Sequence, residues 1–573
     1  MFFRIKKSGP RSYVQIVENR REGGAVQQHV IATVGRTDEL AMSGGLASLL
    51  SSGARLCDQV MVLSAFEADA AGPQLLAKRV GAPLLFGRLW EETGCRPVVE
   101  ELLASRSFEF PVERAVLTAV LHRLMVSGSD RSCEKWMDDY AIPGAEALQL
   151  HHFYRAMAWL GEELTDQTDR NPFAPRTVKD VVEERLFDRR RDLFTDLSVV
   201  FMDTTSLSFT GDGGETLGAH GHSKDNRPEL MQMILGVVID NDGRPVCSEM
   251  WPGNTADVSV LMPVIDRLRR RFGIGRVCVV ADRGMISQAT IAALEERRLE
   301  YILGVRERTD SLVRKIVLDD KKPFVPLLVP RANDKETLLA VKEVMVEDRR
   351  YIVCRDEAEA NKDAADRAAI LDGLQQALIQ GDKGLIGNSA YRRYLRTTSR
   401  KVFEIDPGKV ADDARFDGLF VLRTNAKVTP IQAVLRYRDL LQVEDLFRTA
   451  KALMHTRPIY HSSDEAIRGH VFVSFLALVL RKELDDRCRK AGIRPEWGDV
   501  LRDLDRLQQA SIENQGKTWS IRTEATGTVP ALMKVAGIAL PPRVQATSPP
   551  APAAALPPAK KRRGRPRRSA TSP

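Results

Sequence analysis

Three acidic residues in three settings carry the chemistry of this sequence. Asp203 ends an apolar run, Leu197 to Met202. Asp282 ends another, Val277 to Ala281. Glu444 lies far downstream, in a stretch of helical periodicity from Tyr437 to Met454. Two carboxylates at strand ends and one on a helix suit a cage for hard divalent cations. Mg²⁺ takes oxygen ligands and keeps waters and substrate phosphates in its shell. A pair of such cations clamps the attacking and leaving oxygens of a phosphoryl transfer. The chemistry this predicts is the cutting and joining of DNA.

The helix around Glu444 presents more than a carboxylate. At about 100° per residue, Tyr437, Glu444 and Lys451 follow one another with offsets of roughly 20°. Arg448 is one turn from Glu444. Val443, Phe447, Ala450 and Met454 form a separate apolar stripe rotated by roughly 90°. One flank is expected to pack on a core, and the adjacent flank to present Tyr, Glu, Arg and Lys. By itself the same pattern also describes an exposed helix with an i,i+4 Glu–Arg pair.

The elements that must position these residues can be read along the chain. Residues 1–40 read as a β-hairpin region, with alternation over Tyr13 to Glu18 and Gln28 to Val34 around a turn at Arg21 to Gly24. Residues 41–82 read as a linker. Residues 83–193 carry helical spacing, at Val112 to Val126, Leu148 to Leu160 and Val178 to Leu193, and read either as a helical packing domain or as a DNA-end-binding domain. From 194 to 306 the texture changes. A strand ends at Asp203, a polar loop spans Gly211 to Arg227, and two strands follow at Met231 to Asp240 and Pro245 to Trp251. A helix spans Asp257 to Phe272, with Pro263 predicting a late start or a kink. Then come the strand ending at Asp282, a helix over 287–298 and a strand from Tyr301 to Val305. Three hairpin-linked strands, then helix, strand, helix, strand, is the order of an RNase H-like α/β sheet. Residues 307–428 interrupt it as an inserted mixed/β subdomain. Residues 429–495 supply helices at 429–454 and 464–490, and 496–541 a C-terminal extension.

Composition excludes several classes. No apolar run approaches the roughly 20 residues of a membrane span, and Met1 to Lys7 lacks the apolar core of a signal peptide, so a cytoplasmic protein is expected. Seven cysteines without a CxxC pair argue against a zinc ribbon or a disulfide framework. His220 and His222 form a lone HxH, which reads as a polar loop. The formal net charge is +8, and residues 542–573 hold eight basic and no acidic residues. The rest of the chain is therefore balanced, and the basicity belongs to a Pro/Ala/Ser-rich tail expected to be disordered.

Six blocks in order carry a family resemblance. They are Phe201 to Ser206, Gly221 to Leu230, Pro252 to Asp257, Ala281 to Met285, Val443 to Lys451 and Arg457 to His461. Over about 200–480 the sequence resembles the DDE transposases of the IS4-like superfamily, most closely the IS1634 type. The superfamily signature on the last helix is Tyr, two residues, Arg, three residues, Glu, six residues, Lys. Tyr437, Glu444 and Lys451 fall in register, and Leu440 stands at the Arg position. The resemblance implies that Asp203, Asp282 and Glu444 are catalytic and bind two Mg²⁺ ions, with Mn²⁺ able to substitute. It implies DNA contacts from Tyr437 and Lys451, with Arg448 on the same flank, and from the loop residues Lys224 and Arg227. Asn254 and Asp257 read as a helix start or as members of the site. Trp251 reads as a core residue or as a stacking platform for a flipped base. In the tail, Arg563 and Arg565 resemble an AT-hook that lays Arg in an A·T minor groove.

The implied partners are double-stranded DNA, as terminal inverted repeats and target, and a second copy of the chain, since two ends must be paired. The implied place is the bacterial nucleoid. The competing readings are a repurposed transposase that binds DNA as a regulator, and a plain nuclease without strand transfer.

Overall fold

The structure is a computed structural model. It describes residues 2–9, 11–22, 25–42, 74–168, 174–190, 199–225, 227–273, 277–305, 311–314, 319–330, 336–380, 389–397, 403–453, 458–514 and 517–547. Two compact units are present. One comprises Met1–Lys78, Leu507–Ala525 and Leu540–Pro573, and the other Arg79–Arg506 with Thr526–Ala539.

In the first unit, β1 (Phe2–Ser8), β2 (Arg11–Glu22) and β3 (Ala25–Arg36) form an antiparallel sheet in that order. The hairpin expected over residues 1–40 is its β2–β3 part, with longer strands and β1 added. A short helix, α1 (Thr37–Met42), follows. The stretch expected as a linker ends in a strand, β4 (Gln74–Arg79). Its sheet has the order β18-β17-β16-β4, with β16 at Gln508–Asn514, β17 at Lys517–Arg522 and β18 at Val544–Thr547. Here the expectation of disorder from 542 is corrected. Val544 and Ala546 pair with Ile521 and Trp519, so the first residues of the tail complete a sheet. Residues 43–73 and 548–573, including Arg563 and Arg565, lie outside the described residues.

The second unit opens with six helices: α2 (Gly81–Glu92), α3 (Cys95–Leu103), α4 (Val112–Met125), α5 (Asp130–Met137), α6 (Leu150–Leu160) and α7 (Val178–Arg190). The RNase H-like core follows: β5 (Val199–Ser208), β6 (Gln232–Ile239), β7 (Pro245–Pro252), α8 (Asp257–Phe272), β8 (Cys278–Ala281), α9 (Gln288–Glu296) and β9 (Glu300–Gly304). Helix α8 begins at Asp257 and runs through Pro263, so there is no late start.

The insertion contributes β10 (Val325–Pro330), β11 (Glu336–Val346), β12 (Arg349–Asp356), α10 (Glu357–Gln380), α11 (Ser389–Arg392), β13 (Leu395–Thr397), β14 (Phe403–Ile405), α12 (Pro407–Ala414) and β15 (Leu419–Thr424). Its long strands extend the core sheet, whose order is β10-β11-β12-β15-β9-β8-β5-β6-β7. The joint is the antiparallel pair β15–β9, from Leu422↔Gly304 to Thr424↔Ile302. The remaining helices are α13 (Pro430–Asp439), α14 (Leu441–Arg448), α15 (Asp464–Lys490), α16 (Trp497–Arg506) and α17 (Val529–Val535). No described helix is long and apolar enough to cross a membrane.

Alternation along β5 decides which layer each side chain meets. Val200 and Met202 join a core with Val260, Leu261, Val264 and Leu268 of α8, Val279 and Ala281 of β8, and Trp251 of β7. Trp251 is fully buried there, which settles it as a core residue. Helix α7 is tied to α8 and β7 by buried charges. Arg267 reaches Asp180 at 2.8 Å and Glu249 at 2.6 Å, and Arg271 reaches Glu183 at 2.8 Å and Glu184 at 2.7 Å.

Candidate active site

Strand β5 lies between β6, antiparallel, and β8, parallel, third from the β7 edge of the sheet. It pairs with β8 from Val199↔Cys278 to Met202↔Ala281, and β8 stops there. The next residue of each chain segment is an aspartate, so Asp203 and Asp282 stand side by side. Adjacent strands are about 4.8 Å apart. Asp203, expected to end its strand, lies instead within β5. β5 continues to Ser208, because Asp203 to Ser208 go on pairing with Val237 to Gln232 of β6. Asp282 does end its strand and opens a short 3₁₀ turn, Arg283–Met285.

The predicted single helix over Tyr437 to Met454 is three pieces. Helix α13 closes at Leu440, α14 runs from Leu441 to Arg448, and a π-helical turn spans Thr449–Leu453. The wheel drawn for one straight helix therefore does not hold, yet its polar flank still meets the site. Helix α14 packs on β5 and β6, and α13 on β8 and β9. Glu444, in the first turn of α14, acts electrostatically on Asp203, as does Asp282.

Burial pushes the Asp203 carboxyl up to about 6. The charges of Asp282 and Glu444 push the same way, while Lys224 and the Thr204 N–H, 2.7 Å from Asp203 Oδ1, oppose them. Desolvation is the main cause, and the two neighbouring carboxylates add a smaller push.

Tyr437 donates to Asp282 Oδ1 at 3.0 Å. Its ring stacks on Phe420 of β15 with centroids 6.2 Å apart. A Cβ at position 304 would lie 2.4 Å from the Tyr437 hydroxyl, so glycine there opens the path to Asp282. Lys451, on the π turn, pairs with Asp225 at 3.0 Å and so ties the polar loop to this helical segment. Arg448 is exposed on the last turn of α14.

The polar loop folds about Ser223, whose Oγ accepts from the N–H groups of Asp225 and Arg227. Lys224 turns inward. Its Nζ donates to Thr204 O and Oγ1, both at 2.7 Å, and lies 3.1 Å from Asp257 and 4.0 Å from Asp203. Thr204 in turn donates to Asp257 Oδ1 at 2.8 Å. Asp257 thus both begins α8, with Ala256 at the cap position, and borders the site. Asn254 is exposed in the preceding turn. Arg227 is exposed and pairs with Glu229 at 2.8 Å. His220 and His222 are exposed on the loop.

Thr204, Gly304 and Phe420 were not singled out in the sequence. A Thr within a strand, a Gly at a strand end and a Phe beginning another carry no local signal; only pairing across the sheet brings them here. A second polar cluster was also not foreseen. Among the described residues, Asp130, His461 and His470 are the group whose donor atoms all lie within 4.8 Å of one another and could hold a metal ion. Asp130 is distant in sequence from the two histidines, so no local motif announces the group.

Comparison with known proteins agrees with this architecture. Residues 194–480 match the model of the transposase DDE domain, and residues 3–68 match the N-terminal domain of IS1634 family transposases. No curated protein matches the sequence. Among solved structures, the chain is similar to a piggyBac transposase synaptic complex with hairpin DNA, at 10% identity and a TM-score of 0.36, covering 74% of this chain and 77% of that one. The DDE domain model spans half of the sequence and contains the paired aspartates and Glu444, and the IS1634 model accounts for the N-terminal sheet; the chain belongs to the DDE transposases of the IS1634 type.

Proposed function

We propose that this transposase cleaves DNA at the terminal inverted repeats of its element and joins the freed ends to target DNA, with Asp203, Asp282 and Glu444 as its catalytic residues. The observation that carries the reading is the parallel β5–β8 register. It puts Asp203 and Asp282 side by side, and Glu444 is close enough to act on the same carboxyl. The donor set is all carboxylate, which suits Mg²⁺ and, less selectively, Mn²⁺. Two such ions held by the three residues would activate a water or a 3′-hydroxyl and neutralise the leaving oxygen.

The protein's own groups have separable tasks. Tyr437 fixes the Asp282 carboxylate through its hydroxyl. Lys224 holds positive charge beside Asp203 and Asp257. Lys451 would exchange Asp225 for a DNA phosphate, and Arg448 and Arg227 offer exposed guanidinium groups to the backbone. Arg563 and Arg565 would add affinity without end specificity. Because two ends are joined in one event, the working form would be a homodimer on paired ends.

The test is cleavage of a labelled DNA bearing the element's own terminal repeat, with Mg²⁺, by the wild type and by Asp203→Asn, Asp282→Asn and Glu444→Gln. Boundary cuts by the wild type alone, with end binding kept in all variants, support the reading. Binding without cutting by the wild type, with Mn²⁺ also tried, would replace it with the regulatory one.

A further inference from the structure

We propose that Asp130, His461 and His470 form a structural site for one borderline transition-metal cation of the Zn²⁺ class, separate from the carboxylates on the sheet. Three segments supply the donors. Asp130 opens α5, His461 lies beyond the short bridge between Phe209 and Ile459, and His470 sits within α15. His461 Nε2 is 2.9 Å from Asp130 Oδ2 and 3.2 Å from His470 Nδ1. Donors bound at roughly 2.0–2.1 Å in a tetrahedral site stand about 3.3 Å apart. The set is thus near closure already. Two imidazoles and one carboxylate favour Zn²⁺ or Co²⁺ over Mg²⁺. Asp130 and His470 are buried, and the His461 side chain is 10% exposed.

Arg123 is the resident positive charge of the cluster. Its Nη2 lies 3.0 Å from Nδ1 and 3.3 Å from Nε2 of His470, and 3.7 Å from Asp130. Near-equal approach to both ring nitrogens places the guanidinium over the ring face. His470 Nδ1 also lies 3.2 Å from His461 Nε2. The same guanidinium repels a second cation, so affinity should fall below that of a site without it.

The site has a mechanical consequence. Ile459 bonds the backbone of Ser208 and Thr210 at the end of β5, the strand that carries Asp203. His461 follows two residues later. A cation there would brace the end of β5 against α5 and α15.

The experiment uses the full chain carrying Asp203→Asn, Asp282→Asn and Glu444→Gln together, so that its result is independent of the cleavage reading. Zn²⁺ and Co²⁺ are the probes. Expected are one ion retained per chain after desalting, visible Co²⁺ bands without thiolate charge transfer, and a raised melting temperature. Adding His461→Ala or Asp130→Asn should remove all three effects, with circular dichroism confirming the fold. Absence of stoichiometric binding in the folded parent overturns the proposal and leaves Arg123 as the cluster's permanent cation. Undiminished binding in a folded His461→Ala or Asp130→Asn chain overturns it equally.

Discussion

Tyr437 and Asp282 are joined across the boundary between helix and sheet, hydroxyl to Oδ1 at 3.0 Å. The bond holds one carboxylate oxygen in place and leaves the other for a ligand. Groups that orient a metal-binding carboxylate typically contribute about 10–100-fold to metal affinity or activity. Tyr437→Phe keeps the ring on Phe420 and removes only the donor. Cleavage measured against Mg²⁺ concentration should show weaker half-saturation by about that factor. An unchanged Mg²⁺ dependence would mean that the bond does not orient Asp282.

Asp203 makes the site a destabilised one at neutral pH. Its carboxyl is pushed up from 3.8 to about 6, chiefly by burial. The folded state therefore holds this proton more tightly than the unfolded chain. The associated stability is fully present below pH 3.8 and lost as pH rises through about 6. Asp203→Asn removes the buried charge and should stabilise the metal-free protein above pH 6, by at most about 3 kcal/mol. The difference should vanish near pH 4. Melting curves at the two pH values check this, and equal melting at neutral pH would refute it.

Lys224 works against that shift, since its charge lowers the Asp203 carboxyl. Lys224→Met should move the acid limb of the cleavage profile to higher pH. A pure DNA contact would instead weaken binding and reduce its salt dependence by about one phosphate, with the profile unmoved. The pH–rate profile and a salt titration of end binding together separate the two roles.

The ion network on α7 is a stability element. Arg271 is 1% exposed and meets Glu183, Glu184, Asp180 and Glu249. Arg271→Met would leave Asp180, Glu183 and Glu249 with only Arg267 and Lys179 to balance them, a loss of buried pairing that costs up to roughly 3–5 kcal/mol. Because the network spans α7, α8 and β7, the whole second unit should melt earlier, as read by calorimetry. Loss confined to a minor early transition would show that α7 unfolds independently.

Leu440 stands where the family signature has Arg. In this chain it is 5% exposed, at the junction of α13 and α14. Leu440→Arg should therefore lower thermal stability rather than strengthen DNA binding, because it puts a charge into an apolar junction. Tighter end binding with unchanged melting would contradict this.

Much was settled by local sequence. The run Val199 to Met202 and the run Cys278 to Ala281 are continuously apolar and valine-rich, as parallel strands buried on both faces tend to be. Helix α15 starts at the capping Ser463, and α8 ends at the left-handed Gly273. The order of these elements was enough to indicate an RNase H-like core, and the spacing of Tyr437, Glu444 and Lys451 survived even where the helix did not. What the tertiary structure alone decided is pairing. The register of β5 against β8 sets the two aspartates abreast, and β15 against β9 makes the insertion a continuation of the core sheet. The inward turn of Lys224, the approach of Tyr437 past Gly304, and the meeting of Asp130 with His461 and His470 join residues far apart in sequence. Periodicity reports which face of an element is apolar. It does not report which other element that face will meet, because that depends on packing over the whole chain.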